Sequence, residues 1–323
     1  MDSTPTQSVR SSSALFPDDV LEACRRTVCI ANGKGGVGKT TLTTNLSTVL
    51  AEAGYKTLVV DLDAQGNVAV NLGYIDDERY DDGQALARAV QFGEAPVPTT
   101  GVRENLDVLS GGEHTSRLLD ILHGDALRGG KMRGGVARAL AKVAQDYDLI
   151  FIDTPPSDAG YTAVEEAMLA SRWILAPVRP EPKSLKGLES LARRVTNVNT
   201  LNPFVALLGV VLFGVPTGAT RVEKRPREIL GQSLEGIAPV FEAKIRNVVA
   251  ADADATFRGE SAHELAQEVK TQAPFWERLK NPGKGGPQLA ASAGSLAEDY
   301  MALAEQIVAE LSAQEAALEE AKA

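Results

Sequence analysis

The chain has 323 residues, of which 44% are hydrophobic and 24% are charged, a composition that excludes collagen, wholesale disorder and a disulfide scaffold. Its net charge of −10 excludes a protein that is basic all over, so any contact with nucleic acid must be local. No apolar run is long enough to span a membrane, and residues 1–13 lack the apolar segment of a secretory signal, which predicts a cytoplasmic protein.

The chain alternates between two kinds of segment after residues 1–17, whose Ser, Thr and Pro content predicts a flexible tail. Runs of β-branched residues predict strands at 27–31, 57–61, 149–153, 173–177 and 208–213. Helical periodicity predicts helices at 40–53, 136–145 and 185–198. Apolar strands alternating with amphipathic helices predict an α/β fold, with a mostly parallel twisted sheet flanked by helices on both faces.

The remaining segments set the domain boundaries. The acidic segment 76–83 and the glycine-rich segment 128–135 have no core pattern, which predicts surface loops. A final helix is predicted at 295–320, and its apolar stripe should pack on the domain or on a partner. We therefore divide the chain into a tail (1–17), a main domain (18–283) and an appended C-terminal helix (284–323).

A phosphate-binding loop is the strongest motif. Residues 33–40 satisfy G-x-x-x-x-G-K-[ST] between a predicted strand and a predicted helix. Such glycines let backbone N–H groups converge on phosphate oxygens, and the helix N-terminus adds its positive dipole end. In this motif Lys39 reaches the β- and γ-phosphates and the Thr40 hydroxyl ligates Mg²⁺. The predicted nucleotide-binding residues are Gly33, Lys34, Gly35, Gly36, Val37, Gly38, Lys39, Thr40 and Thr41.

Carboxylates follow two of the predicted strands. Asp61 and Asp63 come at the end of one, and Asp153 ends another. The carboxyl ends of parallel strands face the ligand crevice of an open α/β sheet, so we expect these side chains beside the phosphate loop. Asp153 is placed to hold the Mg²⁺ shell, as the strand-end aspartate of P-loop NTPases does.

Several motifs together resemble one family. GKGGVGKTT at 33–41 resembles the deviant P-loop of the ParA/MinD ATPases, in which Lys34 is the additional lysine. DLDAQGN at 61–67 resembles the ParA pattern D-x-D-P-Q-G-N, with Ala64 in place of proline. IDTPPS at 152–157 resembles I-D-x-P-P-S, PVRPE at 177–181 is similar to P-V-Q-P-E, and IRNV at 245–248 is similar to I-P-R-N-V. The chain is thus identified as a member of the ParA family over roughly residues 27–259.

The resemblance implies a mechanism. Each subunit would bind ATP with Mg²⁺, and two subunits would close into a homodimer around two nucleotides. Lys34 and Asp63 are the implied catalytic residues, the first acting across the interface on the partner's nucleotide and the second orienting the attacking water. Thr40, Asp61 and Asp153 would hold the metal, and intrinsic turnover would be slow.

The resemblance also implies partners. The ATP dimer of ParA proteins binds DNA non-specifically on the nucleoid, and a ParB-type centromere-binding protein stimulates hydrolysis. A local strip of basic residues is suited to contact with DNA phosphates. The alternative is that these residues form a solvated helix face with ion pairs. The candidate DNA-binding residues are Arg221, Lys224, Arg225, Arg227, Arg246 and Arg258.

Other functions remain as alternatives. A MinD-like positioning ATPase attaches to membrane through a basic C-terminal helix, but residues 290–323 hold seven acids and one base, so we predict no membrane contact. An electron carrier of the nitrogenase-reductase kind would need cluster cysteines after the loop, whereas Cys24 and Cys29 precede it. A non-catalytic nucleotide sensor and a role with another cargo stay open.

Overall fold

The computed structural model describes residues 16–156, 161–218, 220–272 and 289–322. The described strands are β1 (Thr27–Ile30), β2 (Thr57–Asp61), β3 (Thr99–Arg103), β4 (Leu106–Leu109), β5 (Leu149–Asp153), β6 (Trp173–Val178), β7 (Ala206–Val215) and β8 (Val240–Arg246). The described helices are α1 (Asp18–Ala23), α2 (Lys39–Glu52), α3 (Asn67–Asn71), α4 (Gln84–Phe92), α5 (Glu113–Ala126), α6 (Gly135–Leu140), α7 (Tyr161–Leu169), α8 (Pro182–Val198), α9 (Thr220–Ser233), α10 (Val249–Arg258), α11 (Ala262–Thr271) and α12 (Ala293–Lys322).

The described strands form one sheet in the order β3-β4-β2-β5-β1-β6-β7-β8. Every neighbouring pair is parallel except β3 and β4, which are antiparallel. The α/β fold with a mostly parallel sheet is therefore confirmed. In the register Asp153 of β5 lies opposite both Ile30 of β1 and Asp61 of β2, so three strand ends meet at one edge.

Helices cover both faces of the sheet, and each face has its own hydrophobic core. Along β1, the side chain of Cys29 joins one core, whereas Val28 and Ile30 join the other. All positions of β1, β2, β5 and β6 are buried, which explains why these strands are near-continuous apolar runs in the sequence.

The C-terminal helix α12 is part of one of these cores. It packs on β8, α2 and α11, and Tyr300, Leu303 and Ile307 on it are completely buried. Leu318, the last residue of the predicted stripe, is 38% exposed, so the packed face ends before it. Phe16, which the sequence placed in the tail, is buried in the other core.

Other boundaries also differ from the sequence prediction. The helix predicted at 136–145 ends at Leu140, and a separate 3-10 turn follows at Ala144–Asp146.

The glycine-rich loop at 128–135 is anchored rather than loose, because the buried Glu166 carboxylate accepts the N–H groups of Gly134 and Val136 at 2.7 and 3.2 Å. Among the described helices, none is both long enough and apolar enough to cross a bilayer.

Candidate nucleotide site

The phosphate loop connects β1 to α2, and its glycines are required by its geometry. Gly36 and Gly38 have φ of +69° and +85°, a region that residues with a Cβ rarely adopt. A Cβ on Gly38 would also overlap the ring of Phe213 at the end of β7. A residue with a Cβ would therefore strain the loop at either position.

The loop presents a row of unused backbone donors. Within the described residues, no N–H group from Gly35 to Thr41 donates a hydrogen bond. The preceding turn is fixed by Asn32, whose buried side chain accepts the Lys34 N–H at 3.0 Å and donates to the Pro177 carbonyl at 2.5 Å. Converging free N–H groups at a helix N-terminus form an anion-binding concavity.

The two lysines of the loop leave it on different sides. Lys39 is 6% exposed and lies near Asp153 and Asp63, whose charges partly offset the burial that lowers its pKa. The Lys34 side chain is 34% exposed and pairs with Glu181 at 2.8 Å. Lys39 thus points into the site, whereas Lys34 lies on the outer surface of the loop.

Asp153 fixes the first turn of α2. Its two carboxylate oxygens accept hydrogen bonds from the hydroxyls of Thr40 at 2.7 Å and Thr43 at 3.2 Å. Burial raises the pKa of Asp153 to about 6, although these hydroxyls and Lys39 act in the opposite direction. The Thr40 hydroxyl is therefore held beside a buried carboxylate at the start of the helix.

Asp61 folds the turn that carries Asp63. Its carboxylate oxygens accept the N–H groups of Asp63 at 2.8 Å and Val68 at 3.2 Å. Burial, together with the neighbouring charge of Asp153, raises the pKa of Asp61 well above its usual value. Asp63 is 7% exposed and accepts the Gln65 N–H at 3.0 Å, so its carboxylate is also tied to the turn.

A second layer packs behind this turn. A Cβ on Gly111 would come within 2.7 Å of the Asp61 carboxyl carbon and would overlap the Asp63 carbonyl oxygen. The Tyr80 hydroxyl donates to the Gly111 carbonyl at 3.0 Å and lies 2.7 Å from the position of a Cβ on Gly66. The acidic segment 76–83 therefore supports the site through Tyr80.

The donor set fits a magnesium ion bound together with a nucleotide. Mg²⁺ in such sites is held by one or two carboxylates and by phosphate oxygens, with waters completing the octahedron. Thr40, Asp61 and Asp153 supply a hydroxyl and two carboxylates at one edge of the sheet. Burial raises the pKa of both carboxyls, and a divalent cation at this position would favour their ionised forms.

The candidate DNA-binding residues are spread over several contacts. Lys224 and Arg225 on α9 are exposed, and Lys224 lies 3.9 Å from Glu228. Arg227 on the same helix is turned inward, with hydrogen bonds to Glu223 and to the Phe241 carbonyl.

The other three candidate DNA-binding residues lie outside this exposed surface or outside the described side chains. Arg246 makes a bidentate pair with Asp299 of α12, with both distances 2.7 Å. Arg258 pairs with Glu260 and Glu268. Nothing is described for the side chain of Arg221. Lys224 and Arg225 are consequently the candidates best placed to meet a polyanion.

Some residues of the site were not identified from the sequence. They are Asn32, Thr43, Tyr80, Gly111 and Arg179, the last of which donates to the Gly36 carbonyl at 2.8 Å. Thr43 could have been found from its position one helical turn after Lys39. Arg179 lies in the segment 177–181 that was matched to the family, but no contact was assigned to it. Its contact with Gly36, like that of Asn32 with Pro177, joins distant parts of the chain, for which the sequence carries no local signal.

Comparison with known proteins identifies the family of the chain. A family model described as an AAA domain matches residues 25–207, more than half of the chain. The chromosome partitioning protein ParA of Caulobacter vibrioides is 36% identical over 191 residues, which cover 58% of this chain and 68% of that protein. The chromosome-partitioning ATPase Soj of Thermus thermophilus is 33% identical over 221 residues, covering 67% and 81% respectively.

The fold has solved counterparts. The structure of the Cyanothece McdA complex with ATP superposes with a TM-score of 0.65 at 18% identity, covering 90% of this chain and 97% of that one. Fold, phosphate loop and sequence relatives together define a P-loop ATPase of the ParA/MinD class. Within that class, the chain belongs to the ParA family of partition ATPases.

Proposed function

We propose that this protein is a Mg²⁺-dependent ATPase that partitions DNA as an ATP-bound homodimer. The observation that carries the proposal is the phosphate loop, whose N–H groups from Gly35 to Thr41 donate no hydrogen bond within the described residues. Its two lysines leave it on different sides, Lys39 inward and Lys34 outward. One lysine serves the subunit's own phosphates, and the other is available to a second subunit.

The described residues divide the chemistry between them. Lys39 and the loop N–H groups bind the phosphates, while Asp153 orients the Thr40 hydroxyl. Mg²⁺, held by Thr40, Asp61 and Asp153, supplies charge neutralisation at the phosphates. Asp63 orients the attacking water, and Asp61 fixes its position through the turn.

Lys34 acts on the nucleotide of the partner subunit. A cation delivered from outside to a phosphoryl-transfer site contributes about 10³ to 10⁵ in rate where GTPases have been measured. The pair with Glu181 lies at the surface, so Lys34 can exchange one anion for another without leaving a buried charge. Turnover is accordingly slow in the monomer.

The dimer binds DNA non-specifically, is associated with the nucleoid and is released when a ParB-type partner stimulates hydrolysis. The two exposed bases of α9, Lys224 and Arg225, support a local phosphate-binding surface on an acidic protein. The partition proteins of Caulobacter and Thermus named above support this choice of cargo. The C-terminal helix is packed into the core from Leu296 to Leu311, so this part of it does not support a membrane role.

The test is a gel shift of a non-specific DNA duplex with no nucleotide, ADP, ATP or a slowly hydrolysed ATP analogue, across a salt series. We expect binding with ATP and its analogue alone, lost at high salt and in the variant Lys224→Glu/Arg225→Glu. Arg88→Glu on α4, an exposed base on another helix, is the matched control and should bind like the wild type.

Hydrolysis without DNA binding in any state would contradict the DNA-partition proposal. The alternative would then be a positioning ATPase that acts on another surface. Equal loss in the Arg88→Glu control would show that net charge, and not the α9 surface, is responsible.

A further inference from the structure

Arg179 is a third cation at the phosphate loop, beside Lys34 and Lys39, and the loop motif does not explain it. It follows β6, and its Nε donates a 2.8 Å hydrogen bond to the carbonyl of Gly36. The guanidinium carbon lies 3.5 Å from the position of a Cβ on Gly214, at the end of β7. Arg179 stands where the ParA pattern P-V-Q-P-E has glutamine, so its charge is a feature of this chain.

The hydrogen bond fixes a peptide group of the loop. The described chain has no cis peptide bonds, so the carbonyl of Gly36 and the N–H of Val37 point in opposite directions across their shared plane. Gly36 has φ of +69°, and no heavy atom of the described residues lies within 4 Å of the position of a Cβ, so packing does not restrain the Gly36 side of this plane, whereas the Val37 side chain is fully buried. The contact with Arg179 supplies that restraint.

The restrained N–H is one of the free donors of the loop. Because the Gly36 carbonyl faces Arg179, the Val37 N–H faces away from it and finds no acceptor within the described residues. Burial raises the pKa of Asp252 on α10 to about 6, and the nearby guanidinium of Arg179 acts in the opposite direction.

We propose that Arg179 is a positioning residue for nucleotide phosphates, which holds the Gly36–Val37 peptide so that the Val37 N–H is preset for a phosphate oxygen. The inference rests on the proposed nucleotide binding and extends it to a residue outside the motif. A preset donor needs no reorganisation when the anion arrives, and so it increases affinity. The phosphates common to ATP and ADP are the ligand, so both nucleotides should depend on Arg179 to the same degree.

The experiment uses the full-length protein and measures equilibrium binding of fluorescent ATP and ADP with Mg²⁺. Arg179→Met removes both donor and charge at similar length. We expect about tenfold weaker binding of both nucleotides, which is the effect of losing the hydrogen bond from the Val37 N–H to a charged phosphate. Arg179→Lys and Arg179→Gln each keep a donor for the Gly36 carbonyl and should restore most of the affinity. Arg193→Met, an exposed arginine on α8, is the matched control.

Two readouts separate positioning from a general structural role. The KM for ATP should rise in Arg179→Met while kcat stays within about twofold. The reason is that the Val37 N–H binds the phosphate equally well in the ground state and in the transition state. The unfolding midpoint of the nucleotide-free protein should not change. Wild-type affinity in Arg179→Met would overturn the inference, as would a lower midpoint or rescue by lysine alone. A wild-type protein that binds neither nucleotide would instead overturn the proposed function, and this inference with it.

Discussion

Lys34 Nζ lies 2.8 Å from Glu181 Oε2, so the lysine proposed to serve a partner subunit is held by an acid of its own chain. The two side chains are 34% and 49% exposed, and a pair of this kind contributes at most about 1 kcal/mol. The contact is weak enough to be broken when a second, more highly charged anion becomes available. It therefore describes a resting position for Lys34.

This relationship predicts the effect of Glu181→Gln on dimerisation. Without its carboxylate partner, Lys34 leaves its position at no electrostatic cost, so the ATP-dependent dimer should form at up to about fivefold lower protein concentration. Light scattering over a dilution series with an ATP analogue measures this, with Glu189→Gln on α8 as control. A weaker dimer would contradict the prediction and would indicate that Glu181 itself contributes to the interface.

Asp63→Ala should separate binding from hydrolysis. Its carboxylate is tied to the Gln65 N–H and not to the phosphate loop, so its removal leaves the loop donors in place. We expect ATP binding within about threefold of the wild type, loss of phosphate release and accumulation of the ATP dimer. Equilibrium binding and a phosphate-release assay check both points. A hydrolysing Asp63→Ala protein would exclude the proposed role of this residue.

Alanine substitutions of the two loop lysines should affect different steps, nucleotide binding for Lys39 and dimerisation for Lys34. Lys39→Ala removes the buried cation beside Asp153 and Asp63, and nucleotide affinity should fall by about a hundredfold or more. Lys34→Ala removes an outward cation, so the monomer should still bind nucleotide but should not form the ATP dimer. Nucleotide titration and sizing in ATP measure the two effects. An undiminished dimer in Lys34→Ala would be inconsistent with action across an interface.

Gly111→Ala should damage the site although Gly111 lies outside every motif. The new methyl group would come within 2.7 Å of the Asp61 carboxyl carbon and displace the Asp63 turn. We expect a loss of about 1 to 3 kcal/mol in the free energy of unfolding, as for other overpacked sites, together with a large loss of hydrolysis. Chemical unfolding and phosphate release test this.

The control for that substitution is Gly124→Ala on α5, where a Cβ would meet no heavy atom of the described residues within 4 Å. Alanine is the better helix former, so this variant should be as stable as the wild type or more so, by up to about 1 kcal/mol. Equal stability and equal phosphate release in the two variants would show that the close approach at Gly111 does not determine either property.

Asp153 should make the nucleotide-free protein less stable as the pH rises. The pKa of this carboxyl is about 6 in the folded protein against an ordinary value of 3.8, so the folded state binds the proton more tightly. The contribution of protonated Asp153 to the free energy of unfolding is fully present below about pH 4, and it is lost as the pH rises through about 6. Asp153→Asn should therefore increase the free energy of unfolding at pH 8, by on the order of 2 kcal/mol.

Urea unfolding with a chelator at pH 5 and pH 8 measures this difference, which should be smaller at the lower pH. Lower stability of Asp153→Asn at pH 8 would mean that the hydrogen bonds to Thr40 and Thr43 outweigh the burial of charge. The same variant should bind nucleotide with Mg²⁺ more weakly, because it removes a charge that the cation neutralises.

The central strands and the loop were predictable because their signals are local. Buried parallel strands are continuous apolar runs, and Gly36 and Gly38 stand where positive φ is required. β3 and β8 lie at the edges of the sheet, and β3 contains a glycine and exposed positions, so neither has that pattern. The sequence placed Tyr80 in a surface loop because its contact with Gly111 joins segments 31 residues apart.

The docking of α12 bears on the order in which the protein folds. This helix is synthesised after every described strand of the sheet, yet Tyr300, Leu303 and Ile307 fill the core that α2 and β8 also line. That core cannot close during translation of the strands, and contacts between such distant segments are slow to form. Until α12 is made, the nascent chain exposes apolar surface beside the helix of the phosphate loop, which is where a chaperone would be expected to bind.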